Sequence, residues 1–159
     1  MQLDSLMICH LVNELNQQLI GAQIREIHQT DDRMFEIELF RVDAKPMHLL
    51  LCAYTPTYLC VLSHKRKNTN FIPSQTFCMS MRKHLEGSRI ASVTQINMDR
   101  IVRIEFNRIE DGSAIVSRYL YCELLPSAPN IILTQDGTIL DACIHSRKED
   151  RTVLPQVEY

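Results

Sequence analysis

The chain has no tryptophan and only four glycines in 159 residues. It contains no G-x-x-x-x-G-K-[ST] run, no G-x-G-x-x-G turn and no G-x-S-x-G elbow, so nothing points to P-loop, dinucleotide-dependent or serine-hydrolase chemistry. No apolar run approaches the roughly 20 residues that a membrane-spanning helix needs. Met1-Gln2-Leu3-Asp4-Ser5-Leu6 lacks the basic start and small-residue cleavage site of a secretory leader. The expectation is a cytoplasmic protein with no membrane partner. Six cysteines are present without any C-x-x-C pair, and five of them sit in apolar stretches. They read as buried free thiols rather than disulfides or a zinc site. The six histidines are scattered, with no H-x-x-x-H or H-E-x-x-H helix to bring two nitrogens onto one ion. No catalytic residue, metal or cofactor is expected.

What remains has the size and composition of one domain, with 45% hydrophobic and 23% charged residues. Asp4 or Ser5 can cap a first helix in which Ile8, Leu11, Val12, Leu15 and Leu19 share one face and Gly21 is the stop. The period then changes to two. Phe35, Ile37 and Leu39 alternate with Glu36 and Glu38, and further strands follow at 47–53 and 58–62. Residues 21–30 read as a strand with a bulge, because Ile24 and Ile27 differ in parity. After a basic loop at 64–73, Ser74 is placed to cap a second helix built on Phe77, Cys78, Met81 and Leu85, with Gly87 ending it. Strands at 90–98 and 101–106 flank Asp99-Arg100. A strand at 115–125 and a hairpin around Gln135-Asp136-Gly137 come next, and 145–159 reads as polar and irregular. No internal repeat is evident. Two helices among about nine strands, without a βαβ rhythm, imply an α+β fold: a mainly antiparallel β-sandwich flanked by two helices.

Charge is unevenly placed. Residues 64–108 hold nine of the 17 Lys and Arg but three of the 19 acids, a balance of +6 that leaves −8 elsewhere in a chain of net charge −2. Such asymmetry suits a polyanion-facing side, although a mixed surface whose charges cluster only in sequence accounts for it too. Neighbouring strand residues point to opposite faces, so Asp99 and Arg100 can project together only where a strand breaks. There they could offer an acceptor and a planar donor fork to an RNA edge or phosphate. A turn carboxylate beside a solvated arginine is the simpler account. Arg82 and Lys83 can likewise be the charged face of a helix, and Asp4 a helix cap.

Several stretches together resemble the N-terminal domain of the NFACT family. They are Gly21-x-x-Ile24-x-x-Ile27-His28-Gln29; Phe77-Cys78-Met79-x-Met81-Arg82-Lys83-His84-Leu85-Glu86-Gly87; Gln95-x-x-x-Asp99-Arg100-Ile101; Glu123 with Asn130-Ile131-Ile132-Leu133; and Arg151-Thr152-Val153-Leu154-Pro155. The resemblance covers essentially the whole chain. It implies that 1–159 is one domain of a longer protein, whose helix-hairpin-helix, coiled-coil and C-terminal RNA-binding parts are absent here. It also implies a fold similar to the N-terminal domain of formamidopyrimidine-DNA glycosylase (MutM type). That enzyme uses an N-terminal Pro-Glu pair, and Met1-Gln2-Leu3 stand there instead, so no enzyme activity is implied.

The implied function is ribosome-associated quality control. The family binds the obstructed large ribosomal subunit with its peptidyl-tRNA nascent chain. It recruits tRNA, alanyl-tRNA in bacteria, for template-free C-terminal tailing, and the ribosome performs the peptidyl transfer. Asp99, Arg100 and Asp4 then fall at positions linked to tRNA recognition, while Arg82, Lys83 and Arg89 could add phosphate attraction. An older family name implies the alternative, a surface adhesin whose partner is fibronectin. The chain departs from the family pattern at Pro126 and Pro129, before Asn130, and at Gln156, where the family has glycine.

Overall fold

The computed structural model describes residues 4–63, 66 and 69–159. Met1, Gln2, Leu3, His64, Lys65, Lys67 and Asn68 lie outside the described residues, and with them four of the ten residues of the expected basic loop at 64–73. The first helix, α1 (Ser5–Leu19), is capped by Asp4, whose Oδ1 accepts from the Met7 amide at 2.8 Å. Ile8, Val12, Leu15 and Leu19 are its buried face, as their spacing requires. The second helix, α2 (Thr76–Leu85), buries Phe77, Cys78, Met81 and Leu85. Its N-cap is Gln75 rather than the expected Ser74, and no side chain caps it. Gln29 has taken that role from outside by accepting from the Gln75 amide at 2.8 Å.

The strands are β1 (Gln23–Asp31), β2 (Met34–Phe40), β3 (Met47–Cys52), β4 (Tyr58–Leu62), β5 (Arg89–Gln95), β6 (Ile101–Glu110), β7 (Ala114–Glu123), β8 (Asn130–Gln135), β9 (Thr138–Ala142), β10 (Ser146–Arg147) and β11 (Thr152–Val153). The expected bulge in β1 is there, between Ile24 and Glu26. The expected α+β class, mainly antiparallel with two helices, is what the chain adopts. Its hydrogen bonding adds a refinement: β4-β3-β2-β1-β5-β6-β7-β8-β9 form one antiparallel order. The two halves of that order are joined through a single register pair, Gln23 with Arg89. Residues of both halves nonetheless share one core, from Phe35, Ile37 and Leu51 on one side to Ile104, Phe106 and Leu133 on the other. The far loops of the halves also touch, where the Thr55 hydroxyl donates to the Pro126 carbonyl at 2.8 Å.

The junction reveals an internal duplication that period-counting along the sequence does not show. Each half begins with a helix, a glycine at positive φ (Gly21 at 83°, Gly87 at 82°) and a strand. The two strand starts exchange four backbone bonds in reciprocal pairs: Gly21 to Ile90 and Gly87 to Ile24, then Ile90 to Ala22 and Ile24 to Ser88, all 2.8–2.9 Å. Beyond them β1 and β5 diverge, and each helix covers the strand of the other half. Asn16 of α1 brackets Val93, donating to its carbonyl at 2.6 Å and accepting from its amide at 3.0 Å. At the equivalent place on α2, Arg82 donates to the Ile27 carbonyl at 2.6 Å and Glu86 accepts from the Ile27 amide at 3.4 Å. Set side by side, Leu19-x-Gly21-Ala22-x-Ile24-x-x-Ile27-x-Gln29 matches Leu85-x-Gly87-Ser88-x-Ile90-x-x-Val93-x-Gln95. Asp32-Arg33-x-Phe35-x-Ile37-Glu38-Leu39 likewise matches Asp99-Arg100-x-Val102-x-Ile104-Glu105-Phe106. The second turn is one residue longer, which shifts the offset midway and hides the repeat.

The C-terminal stretch expected to be irregular is tied down. It carries β10 and β11, and Ile139 and Gly137 exchange backbone bonds with Gln156, Val157 and Tyr159. Gln156 sits at φ 70°, in the left-handed region that favours glycine, where an L side chain costs about 1–2 kcal/mol.

Two outcomes test this frame. A Cβ at Gly87 would meet only Arg108 Cδ, at 3.9 Å, so Gly87→Ala should lose about 1 kcal/mol through φ alone, read by urea unfolding. Arg118 and Arg108 both hydrogen-bond Glu110 and hold its carboxyl down at about 2. That stability is complete above the ordinary carboxylate range and is lost as pH falls towards 2. The stability difference between wild type and Glu110→Gln should therefore shrink progressively on acidification from pH 5 and not on alkalinisation.

Candidate nucleic-acid interface

Strand β5 stops at Gln95, earlier than its apolar pattern suggests, and a five-residue turn carries the chain into β6. Asn97 and Met98 both have positive φ, 49° and 56°, a conformation that non-glycine residues hold only when their surroundings demand it. The restraints are visible. The Asp99 amide donates to the Ile96 carbonyl at 2.8 Å, and Ile96 to the Ile101 carbonyl at 2.9 Å. Gln95 Nε2 reaches the Asp99 carbonyl at 3.0 Å and the Ser5 carbonyl at 2.9 Å. The Ser5 hydroxyl donates to the Met98 carbonyl. Gln95 and Ser5 thus weld the turn to the first residue of α1.

Within the turn the Arg100 amide donates to Asp99 Oδ1 at 2.7 Å, and the Leu124 amide donates to the Arg100 carbonyl at 2.8 Å. The backbone is fixed on both sides, while Asp99 Oδ2 makes no hydrogen bond among the described residues. Asp99 is exposed and Arg100 half-buried, and among the described residues the Arg100 guanidinium makes no hydrogen bond or ion pair. Asp4, exposed at the helix N-terminus, adjoins Ser5 and so lies beside the same turn. The three residues expected to recognise tRNA are brought together.

The other three are not. Arg89 opens β5 and the turn follows its end, so seven residues of strand, about 20 Å, separate them. Arg89 donates to the Gly21 carbonyl at 3.1 Å, Arg82 is committed through Nε to Ile27, and only Lys83 is exposed without a side-chain partner among the described residues. Arg108 also spends its charge internally, on the Lys83 and Glu86 carbonyls and on Glu110. Much of the +6 segment is therefore structural.

Motif residues that sequence reasoning left without a role form a second centre. Glu123, 2% exposed, receives Arg151 in a two-pronged pair at 3.1 and 2.7 Å and the Tyr159 hydroxyl at 3.0 Å. Burial, and then the Glu123 charge, push the Tyr159 hydroxyl pKa up. Asn130 pins β8 to the end of β9 through Ile144. Glu123, Arg151, Asn130 and Ile144 line a cleft of about 420 Å³ together with Arg33, Pro129 and Lys148. The one His and carboxylate group among the described residues with metal-ligand proximity is Glu26, His28 and Glu38, whose ligand atoms lie within 4.8 Å of one another. It sits on β1 and β2, with His28 held by Glu26 at 3.0 Å and stacked on Phe71.

The family model for NFACT N-terminal and middle domains matches residues 4–159. The chain belongs to the NFACT family. It is 35% identical over 167 residues to the Rqc2 homolog RqcH of Bacillus subtilis, covering 100% of this chain and 28% of that protein. It is 32% identical over 121 residues to the human ribosome quality control complex subunit NEMF, covering 76% of this chain and 10% of that one. In structure this NFACT chain is similar to the N-terminal domain of the fibronectin-binding protein PavA from Streptococcus pneumoniae. The TM-score is 0.87 at 26% identity, over 99% of this chain and 63% of that one. The chain spans under a third of the length of the curated relatives it matches.

Removing the Arg151 side chain leaves a buried carboxylate with a single hydroxyl partner. Arg151→Ala should lower stability by about 2 kcal/mol and free the 146–159 segment, detected as faster amide exchange at Val157 and Tyr159.

Proposed function

We propose that this NFACT domain is an RNA-binding, non-enzymatic part of a longer cytoplasmic quality-control factor. In this reading the factor engages the obstructed large ribosomal subunit with its peptidyl-tRNA and recruits tRNA for tailing of the stalled nascent chain, with alanyl-tRNA as the substrate. The names of the Bacillus subtilis and human relatives support the quality-control role. The observation that carries the RNA reading is the turn itself. An arginine whose guanidinium has no hydrogen-bond or ion-pair partner among the described residues stands beside an exposed carboxylate on a backbone held from both sides. A guanidinium supplies five donors in a rigid fork and a carboxylate supplies acceptors, so the pair can read a nucleotide edge where a lysine patch could only attract phosphate. Asp4 adds a second acceptor at the α1 N-terminus.

Arg100→Ala and Asp99→Ala in the longer protein should each weaken tRNA binding at least tenfold, about 1.4 kcal/mol, and reduce alanine tailing, with folding unchanged. Wild-type affinity and tailing in both variants would remove the pair from the site. The structural likeness to a fibronectin-binding protein keeps one second reading, a surface adhesin. Among the described residues no helix is long and apolar enough to cross a membrane. Labelling of intact cells with an impermeant reagent distinguishes the two readings, since strong labelling without lysis supports the adhesin.

A further inference from the structure

The duplication places a second Asp-Arg turn where the first has its counterpart. Asp32-Arg33 connects β1 to β2 as Asp99-Arg100 connects β5 to β6, and the two turns share their supports. Gln29 reaches the Asp32 carbonyl at 3.4 Å and the start of α2 through Gln75, at 3.1 Å and 2.8 Å. Gln95 does the same for Asp99 and Ser5. The Ala53 amide donates to the Arg33 carbonyl at 2.9 Å, as Leu124 donates to Arg100 at 2.8 Å. Arg33 is exposed. Its guanidinium carbon lies 5.5 Å from the centre of the Tyr54 ring, and among the described residues it makes no ion pair.

The two turns are linked through the loops packed against them. Arg33 is bonded to Ala53, Thr55 to Pro126, and Leu124 to Arg100, so a short path through two loops links one arginine to the other. Beside that path, between Arg33 and the Ser127–Asn130 stretch, lies the cleft of about 420 Å³ that Lys148 and Arg151 also line. Glu123 there is already neutralised by Arg151, which leaves Asp150 as the uncompensated acid against Arg33 and Lys148.

We propose that Asp32-Arg33 is a second RNA-contacting turn, and that Arg33 with the adjoining cleft holds a backbone phosphate of the RNA strand that Asp99-Arg100 engages. The two turns divide the task. Asp32 and Asp99 each have one carboxylate oxygen taken within the protein, by Gln75 at 2.8 Å and by the Arg100 amide at 2.7 Å, so what sets the second turn apart is the cleft and Lys148 beside its cation. Arg33 therefore positions the strand through a phosphate, whereas Asp99-Arg100 recognises it. The inference rests on the RNA reading of the first turn.

The test measures tRNA affinity of the longer protein that carries this domain, by fluorescence anisotropy across a salt series. Wild type, Arg33→Ala, Lys148→Ala, Arg100→Ala and, as a control at the distant β2–β3 loop, Lys45→Ala are compared. Arg33→Ala should weaken binding about five- to tenfold and lower the magnitude of the salt slope by about 1. Lys148→Ala should show a smaller change in the same direction, and Lys45→Ala none. Loss of affinity in Arg100→Ala with Arg33→Ala at wild-type affinity and slope overturns the second turn and leaves the first standing. Absence of saturable binding by wild type, or wild-type behaviour in both arginine variants, overturns the RNA reading and this inference together. Equal losses in Lys45→Ala and Arg33→Ala would show diffuse attraction and likewise overturn it.

Discussion

Four backbone hydrogen bonds at the β1–β5 junction hold the molecule together as one body. They join the two halves of the sheet where only one register pair exists, and they depend on Gly21 and Gly87, which turn each helix sharply into its strand. Past that point the strands part, and their freed backbone groups would be left unpaired in the interior, at about 1–3 kcal/mol each. Asn16 on one side and Arg82 with Glu86 on the other satisfy them. Each helix is thereby locked to the strand of the opposite half, and the halves close over a common core.

The same exchange shapes the two Asp-Arg turns. Because α1 lies on β5, its first residue, Ser5, is available to tie down the turn that follows β5. Because α2 lies on β1, Gln75 is available to the turn that follows β1. Preorganised backbone with unpartnered side-chain ends is what a recognition element requires, since ordering a mobile loop on binding would consume part of the interaction energy. The strained φ values of Asn97 and Met98 are a cost of holding Asp99 and Arg100 outward together, which an uninterrupted strand cannot do.

Much of this was legible in the sequence. Helical spacing located both helices and their buried faces, alternation located the strands, and the Asp-Arg pair stood out once its neighbours matched a family. Three features were not legible, each for a physical reason. The α2 cap is supplied by Gln29, far away in the chain, so no local motif announces it. The role of Arg82 is tertiary: a cation on a polar helix face looks the same whether it faces solvent or the Ile27 carbonyl. The duplication escaped because the second turn holds one residue more, and because Phe35 and Val102, or Leu39 and Phe106, fill equivalent core places with different shapes. The charge asymmetry misled in part, since Arg82 and Arg108 serve backbone carbonyls instead of a polyanion.

The loops that link two equivalent turns, and not the α2 face, are the proposed meeting place with RNA. Ultraviolet crosslinking of bound tRNA followed by peptide mapping addresses it directly. Crosslinked nucleotides are expected on peptides containing Asp99-Arg100 and on those containing Arg33 or Ser127–Asn130. Crosslinks confined to the Arg82, Lys83 and Arg89 region would contradict it.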